Sequence, residues 1–274
     1  MSIPDRIARI AAAAEREDGA APLDEATQLA LRHDDGGVRR WERDDAFALL
    51  VGHDLSLVVD PAARRQGLGR TLLDQVLADA EAAGMRAWSH ADHPGAARLA
   101  ATHGFDRVRE LWVMRRPTAT PLPEVTVPDD MDIRGYRPED ADQLLRVNAA
   151  AFADHPEQGA MDAANLAARM AEPWFDPAGL LVAEDDAGRL LGFHWTKQHS
   201  ADLGEVYVVA IAPEAQGRGL GRVLTLAGLH HLATRGVGEV LLYVESDNQP
   251  AVSLYAGLGF DHAARDTHVM YRRD

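Results

Sequence analysis

The chain contains no cysteine. It therefore has no disulfide framework, no zinc–thiolate site and no thiol to form a covalent intermediate, although that absence fixes no compartment. Positive charge is scarce as well: 28 Lys and Arg stand against 43 Asp and Glu, a formal charge of −15 that repels nucleic acid and anionic membranes. Long apolar runs are missing. No stretch approaches the length of a membrane span, and the opening MSIPDRIARIAAAAERED is broken by Arg and Glu where a signal peptide needs a continuous apolar core. The expectation left standing is a cytosolic, monomeric enzyme with no nucleic-acid or membrane partner and no metal.

Two short segments repeat. RRQGLGR spans Arg64 to Arg70 and QGRGLGR spans Gln216 to Arg222, each after an apolar strand closed by proline (LSLVVDP, EVYVVAIAP) and before a helical stretch. Glycines there let the backbone approach a ligand and aim N–H groups at it, and the following helix adds the positive end of its dipole. The flanking arginines supply charge-assisted contacts to a phosphate or pyrophosphate. Neither copy has the Lys-Ser/Thr pair of a P-loop or the third glycine of the dinucleotide fingerprint, so nucleoside triphosphates and nicotinamide cofactors lose ground. One such turn alone is equally a plain glycine turn; two in the same context favour a ligand.

At 274 residues the chain is long enough for two domains. Pro117, Pro121, Pro123 and Pro128 mark residues 117–132 as an extended linker between an N-terminal domain of residues 1–116 and a C-terminal domain of residues 133–274. The second half reads strand, acid-capped helix, three strands, helix, strand, helix, strand, an α/β (α+β) order. The first half is leaner: between Val38 and Pro61 the sequence offers no room for a full three-strand meander, so its sheet is expected to be truncated.

The turns, as Gln216, Gly219, Gly221 and as Arg64, Gly67, Gly69, resemble motif A of the GNAT acetyltransferase superfamily, Q/R-x-x-G-x-G/A. A second landmark agrees. NQPAVSLYAGLGF, Asn248 to Phe260, resembles the GNAT segment N-x-x-A-x-x-x-Y-x-x-x-G-F, and HPGAARLAATHGF, His93 to Phe105, repeats it at the same spacing with Ala100 in the place of Tyr255 and His93 in that of Asn248. AAFADHPEQG, FHWTK followed by LGEVYV, and LLYVESDN resemble the mycothiol synthase family of double-domain GNAT enzymes over nearly the whole chain, with a looser match at DGAAPLDEA. The resemblance implies two tandem GNAT domains, each a mixed central sheet flanked by helices, the first inactive. It implies acetyl-CoA as cosubstrate and a small-molecule amine, the cysteine amine of a cysteinyl-glucosaminyl-inositol, as acceptor. It carries acetyl-CoA contacts onto Val209, Ala210 and Ile211, onto Gln216, Gly217, Arg218, Gly219, Leu220, Gly221 and Arg222, and onto Asn248, Gln249, Pro250, Ala251, Val252 and Ser253. The matching first-half stretch is Leu57, Val58 and Val59 with Arg65, Gln66, Gly67, Leu68, Gly69 and Arg70. Substrate contacts fall on Glu25, Glu157, Lys197, Glu205 and Tyr243.

Each position also has a plainer reading. Glu205 opens a strand and is either a solvated strand end or, beside a covered face, a base for an ammonium substrate. Tyr255 is either a core tyrosine or the acid that meets the departing thiolate. Glu25 and Glu157 equally suit exposed loops. Lys197 equally suits an ordinary charged strand end, and Tyr243 plain packing. His230 and His231 read as surface or satisfied core, since adjacent residues do not share a helical face. An acceptor amine of another kind, or a non-catalytic acyl-CoA sensor, remains open at this stage.

Overall fold

The computed structural model describes residues 3–33, 37–153, 159 and 161–274. Two compact units emerge: Met1–Val113 with Glu245–Asp247 and Ala263–Asp274, and Met114–Val244 with Asn248–His262. The division differs from a cut at the prolines. Residues 117–132 belong wholly to the second unit, and the last twelve residues, 263–274, belong to the first.

In the first unit, helix α1 (Ile3–Asp18) puts Ile7, Ile10 and Ala14 on one buried stripe. Helix α2 (Glu25–His33) follows, with the Asp24 carboxylate accepting from the Thr27 N–H at 2.7 Å. Strands β1 (Val38–Arg43), β2 (Ala46–Val51) and β3 (Asp54–Val59) form an antiparallel meander. The expected shortage of room is thus corrected: six-residue strands joined by two-residue turns, one with Gly52 at φ +57°, fit the interval. Strand β2 is buried on both faces. Phe47 and Leu49 pack with α1, while Ala46, Ala48 and Leu50 pack with Leu72, Leu73 and Val76 of α3 (Leu68–Asp79). Then come β4 (Arg86–Ser89), α4 (Pro94–Thr102) and β5 (Asp106–Pro117). Val269 to Arg272 of the last strand pair antiparallel with β4, which is why the C-terminus belongs to this unit.

The second unit runs β6 (Met131–Gly135), α5 (Ala141–Ala151), α6 (Ala163–Met170), β7 (Leu180–Asp185), β8 (Leu190–Gln198), β9 (Leu203–Ile211), α7 (Leu220–Thr234), β10 (Glu239–Glu245) and α8 (Gln249–Ala256), with β11 (Asp261–Arg272) leading out of it. Strands β6 to β9 are antiparallel; β10 returns parallel to β9 after the α7 crossover. Leu144 and Val147 of α5, Phe193 and Trp195 of β8 and Leu220 and Leu224 of α7 meet in its core. The proline-rich run is tied down. Buried Arg116 donates to the carbonyls of Leu258 (2.8 Å), Thr120 and Pro121 (3.2 Å), and His230 Nε2 lies 2.8 Å from the Pro123 carbonyl. No described helix is long and apolar enough to cross a membrane.

Candidate active site

Strand β9 carries the site from end to end. It pairs with β10 only from Leu203 to Val206 and then continues to Ile211 against β8 alone. The two parallel strands therefore part at Val206, and the β10-facing edge of Val209 to Ile211 has no ladder there. Past Ile211 the chain makes a short 3-10 turn at Pro213–Ala215. Gly217 and Gly219 then take φ of +75° and +78°, where a side chain is strained, and α7 begins at Leu220. Unpaired strand edge and helix N-terminus thus face the same end of the strand, with donors suited to a carbonyl and an anion.

At the other end of β9 stands Glu205. It is 5 % exposed, so the solvated strand end is ruled out. Among the described residues its side-chain partner is one: His199 Nε2 lies 2.6 Å from Glu205 Oε2, the imidazole N–H donating when Glu205 is ionised and the acid O–H donating to a bare Nε2 when it is protonated. Lys197 is the strand partner of Glu205 across β8 and β9, and its ammonium lies over the rings of Trp174 (4.5 Å) and Tyr207 (4.9 Å). Tyr207 has its place through a β-bulge: Trp195 pairs with Val208 and Thr196 with Val206, leaving Tyr207 without an opposite residue on β8. Arg169 of α6 lies 5.5 Å from that ring and donates to the Tyr207 hydroxyl.

Helix α8 supplies the remaining groups. Asn248 caps it, its side-chain oxygen accepting from the Ala251 N–H at 3.2 Å. Tyr255, against Phe260 at 5.9 Å between ring centroids, has its phenol pushed up to about 12 by burial. Tyr243 on β10 is 44 % exposed rather than packed away. Of the turn arginines, Arg218 is held at 2.5 Å by Asp130, and Arg222 is exposed. Glu25 opens α2, but its side chain lies outside the described residues, as does Glu157 altogether. His231 pairs with Asp176 at 3.3 Å, a satisfied histidine as its sequence context suggests.

Two regions of the chain, residues 31–105 and 145–260, match the acetyltransferase (GNAT) family. The chain belongs to the GNAT family. Curated relatives include the mycothiol acetyltransferase of a Nocardioides species, 62% identical over 97% of this chain and 96% of its own length, and that of Thermomonospora curvata, 51% identical over 97% and 92%. Among solved structures, a tandem GNAT protein from the clavulanic acid biosynthesis pathway aligns over 98% of this chain and 95% of its own at TM-score 0.73 and 20% identity. A GCN5-related N-acetyltransferase from Sphaerobacter thermophilus aligns over 99% and 93% at TM-score 0.69 and 23% identity. At those identities the structures speak for the shared fold alone. The GNAT family uses acetyl-CoA as cosubstrate, and the parted strands with the glycine turn at their end are the features of this chain that fit it.

The first unit repeats the GNAT turn. Strands β3 and β4 pair only at Asp54 and Leu55 before parting, and α3 begins at Leu68 after Gly67 at φ +86°. Arg65 stands where the other copy has Gly217 and takes the same left-handed conformation, φ +65°, at a strain of roughly 1–2 kcal/mol. A cavity of about 770 Å³, bounded by Leu57, Val59, Arg64, Arg65, Gly67 and His93 among others, lies at this turn, within the usual range for ligand pockets. His93 caps α4 through Nδ1, accepting from the Gly95 N–H at 3.0 Å as Asn248 does in α8.

The chemical groups differ between the copies. Arg86 and Leu241 each lie seven residues before the capping residue, His93 or Asn248, and each pairs across the parallel strands with a carboxylate: Asp54 in one unit, Glu205 in the other. Asp54 is bound to Arg86 at 2.8 Å and is half-exposed. The first unit thus has Ala100 for Tyr255, as the sequence shows, and in addition a neutralised carboxylate and a regular, unbulged strand. Three features escape the sequence reading: the His199 contact, the bulge at Tyr207 and the Asp54–Arg86 pair.

Proposed function

We propose that the second unit transfers acetyl from acetyl-CoA to the cysteine amine of a cysteinyl-glucosaminyl-inositol, giving mycothiol. The observation that carries the chemistry is the buried Glu205 carboxylate at the point where β9 and β10 part, on the strand that also leads to the glycine turn. The substrate rests on relatives of up to 62% identity that are mycothiol acetyltransferases.

The pyrophosphate of acetyl-CoA lies against the N–H groups of Gln216 to Arg222, with Asn248 to Ser253 beside it, and the thioester lies along Val209 to Ile211. The amine arrives as an ammonium, since an α-amino group titrates near 7.7–8.0. Glu205 takes its proton, the free amine attacks the thioester carbonyl, and the strand N–H groups stabilise the oxyanion. The C–S bond then breaks. A phenol held near 12 stays protonated at every working pH, well above an ordinary thiol near 8.5, so Tyr255 meets the thiolate as a hydrogen-bond donor. Lys197 and Tyr243 contact the acceptor, and the family resemblance adds Glu25 and Glu157 as acceptor residues.

The first unit, in this reading, holds acetyl-CoA at Leu57 to Val59 and Arg65 to Arg70 without turning it over. A panel of amines tested with acetyl-CoA separates the possibilities. The cysteinyl-glucosaminyl-inositol is expected to give the highest kcat/KM; a preference for an aminosugar or a peptide N-terminus refutes the substrate, and no transfer to any amine refutes the enzyme.

A further inference from the structure

Resting on the reading of Glu205 as base, we infer that His199 is a positioning residue that relays the proton from Glu205 to solvent. The need for such an outlet follows from the reaction. An ammonium acceptor becomes a neutral amide, so its nitrogen gives up two protons per turnover; one ends on the departing thiol and the other leaves the site. The group that takes that proton is nearly sealed, with a side chain 7 % exposed against 35 % for the His199 side chain. A carboxylate that cannot shed its proton serves one turnover.

The geometry supplies the route. His199 Nε2 and Glu205 Oε2 are 2.6 Å apart, just under the roughly 2.7–2.9 Å of a charge-assisted N–H···O hydrogen bond and close enough for direct proton transfer. The imidazole is held in place by its backbone: the His199 N–H donates to the Leu203 carbonyl at 2.9 Å, and Ser200 Oγ accepts from Asp202 and Leu203 N–H at 3.2 and 3.1 Å, closing the β8–β9 hairpin. Lys197 of β8 is the strand partner of Glu205, its ammonium lies over the Tyr207 ring of β9, and Arg169 of α6 reaches the same ring. Once Glu205 holds the proton, the imidazole in its Nδ1–H tautomer accepts it on Nε2 and gives the Nδ1 proton to water, leaving the carboxylate ionised and the ring neutral; exchange with water restores the starting tautomer.

The test uses the full chain with acetyl-CoA and the cysteinyl-glucosaminyl-inositol. Gln at 199 keeps an N–H donor for Glu205 but does not titrate; Ala removes both. Expected is a kcat lowered roughly tenfold or more in both His199→Gln and His199→Ala, with KM for acetyl-CoA within about twofold of the parent. Added imidazole is expected to restore His199→Ala, and to do so more strongly as pH rises through the imidazole pKa. Parent-like kcat and pH profile in His199→Gln overturn the relay and leave His199 a purely structural partner; failure of imidazole to restore His199→Ala also overturns it. Glu205→Gln in the same assay keeps the two questions apart. If that variant is inactive while His199→Gln is fully active, the relay alone falls; if Glu205→Gln is itself fully active, the base assignment falls first.

Discussion

Replacing Glu205 by Gln separates the basicity of this side chain from its place in the fold. The amide has the shape of the carboxylate and its oxygen still accepts from His199, so the hairpin and the 2.6 Å contact have a substitute. What the change removes is the capacity to take a proton. A positioned general base contributes about 10²–10⁴ in rate, about 3–5 kcal/mol of barrier at 1.36 kcal/mol per tenfold, and kcat is expected to fall by at least the lower figure. Affinity for acetyl-CoA is expected to stay within about twofold, because the turn at Gln216 to Arg222 lies at the far end of β9, roughly 20 Å along the strand at its usual rise per residue. Product should be quantified by chromatography of the N-acetylated species. A thiol-reactive dye misleads here, since the acceptor carries a thiol of its own and is counted with released CoA. A kcat within twofold of the parent from pH 6 to pH 9 refutes the assignment.

Three further outcomes are expected. Gly219→Ala places a methyl in open space but on a backbone at φ +78°, a strain of about 1–2 kcal/mol, so a lowered Tm with acetyl-CoA affinity weakened at least about tenfold is expected; unchanged affinity in calorimetry removes the turn from the site. Tyr255→Phe should lower kcat about ten- to a hundredfold, and because the phenol sits near 12 an alkaline limb between pH 9 and 10 that disappears in this variant contradicts its role as a persistent donor. His194 is fully buried with its pKa lowered to about 4 by desolvation, whereas the unfolded chain protonates it near 6.5; the stability of the second unit should therefore be complete above pH 6.5 and fall by about 3 kcal/mol as pH drops to 4, and denaturation curves of His194→Gln that keep the same pH slope rule this out.

The parts of this fold that were legible were those that impose a backbone demand on residue type. Gly67, Gly217 and Gly219 announce the turns because their φ values exclude most side chains, and the spacing from capping residue to Gly-Phe announces α4 and α8. The first meander was hidden because its turns use Asp44-Asp45 and Gly52-His53 inside a charged stretch that reads as one strand. The proline run was legible as extended backbone, but not as part of the second unit, since the buried Arg116 that gathers its carbonyls has no local signature. At the site, Glu205 could be chosen but not shown to be buried, and a lone histidine in the polar run QHSADLG gives no hint that its ring closes on a carboxylate six residues away. A bulge changes register without changing composition. Only the pairing of Trp195 with Val208 and Thr196 with Val206 discloses it.

The bulge is the step on which the two units part company. Gln216 follows Glu205 by eleven residues, whereas Arg64 follows Asp54 by ten, and the extra residue is accounted for by Tyr207. In the second unit that insertion puts an aromatic ring against Lys197 beside the carboxylate; in the first, β3 stays regular and Arg86 neutralises Asp54. No single substitution converts one into the other. Ala100 packs with Leu72 and Phe105 and also lines the cavity at this turn, so a tyrosine there has room for its ring but meets a carboxylate already bound by Arg86. Removing Arg86 frees a carboxylate that still lacks the bulge. The turn needs only glycines and a helix, and the first unit has both; the chemistry proposed for the second unit draws on a buried carboxylate, a bulge and a tyrosine, and the first unit has Arg86 on its carboxylate, a regular strand and Ala100 instead.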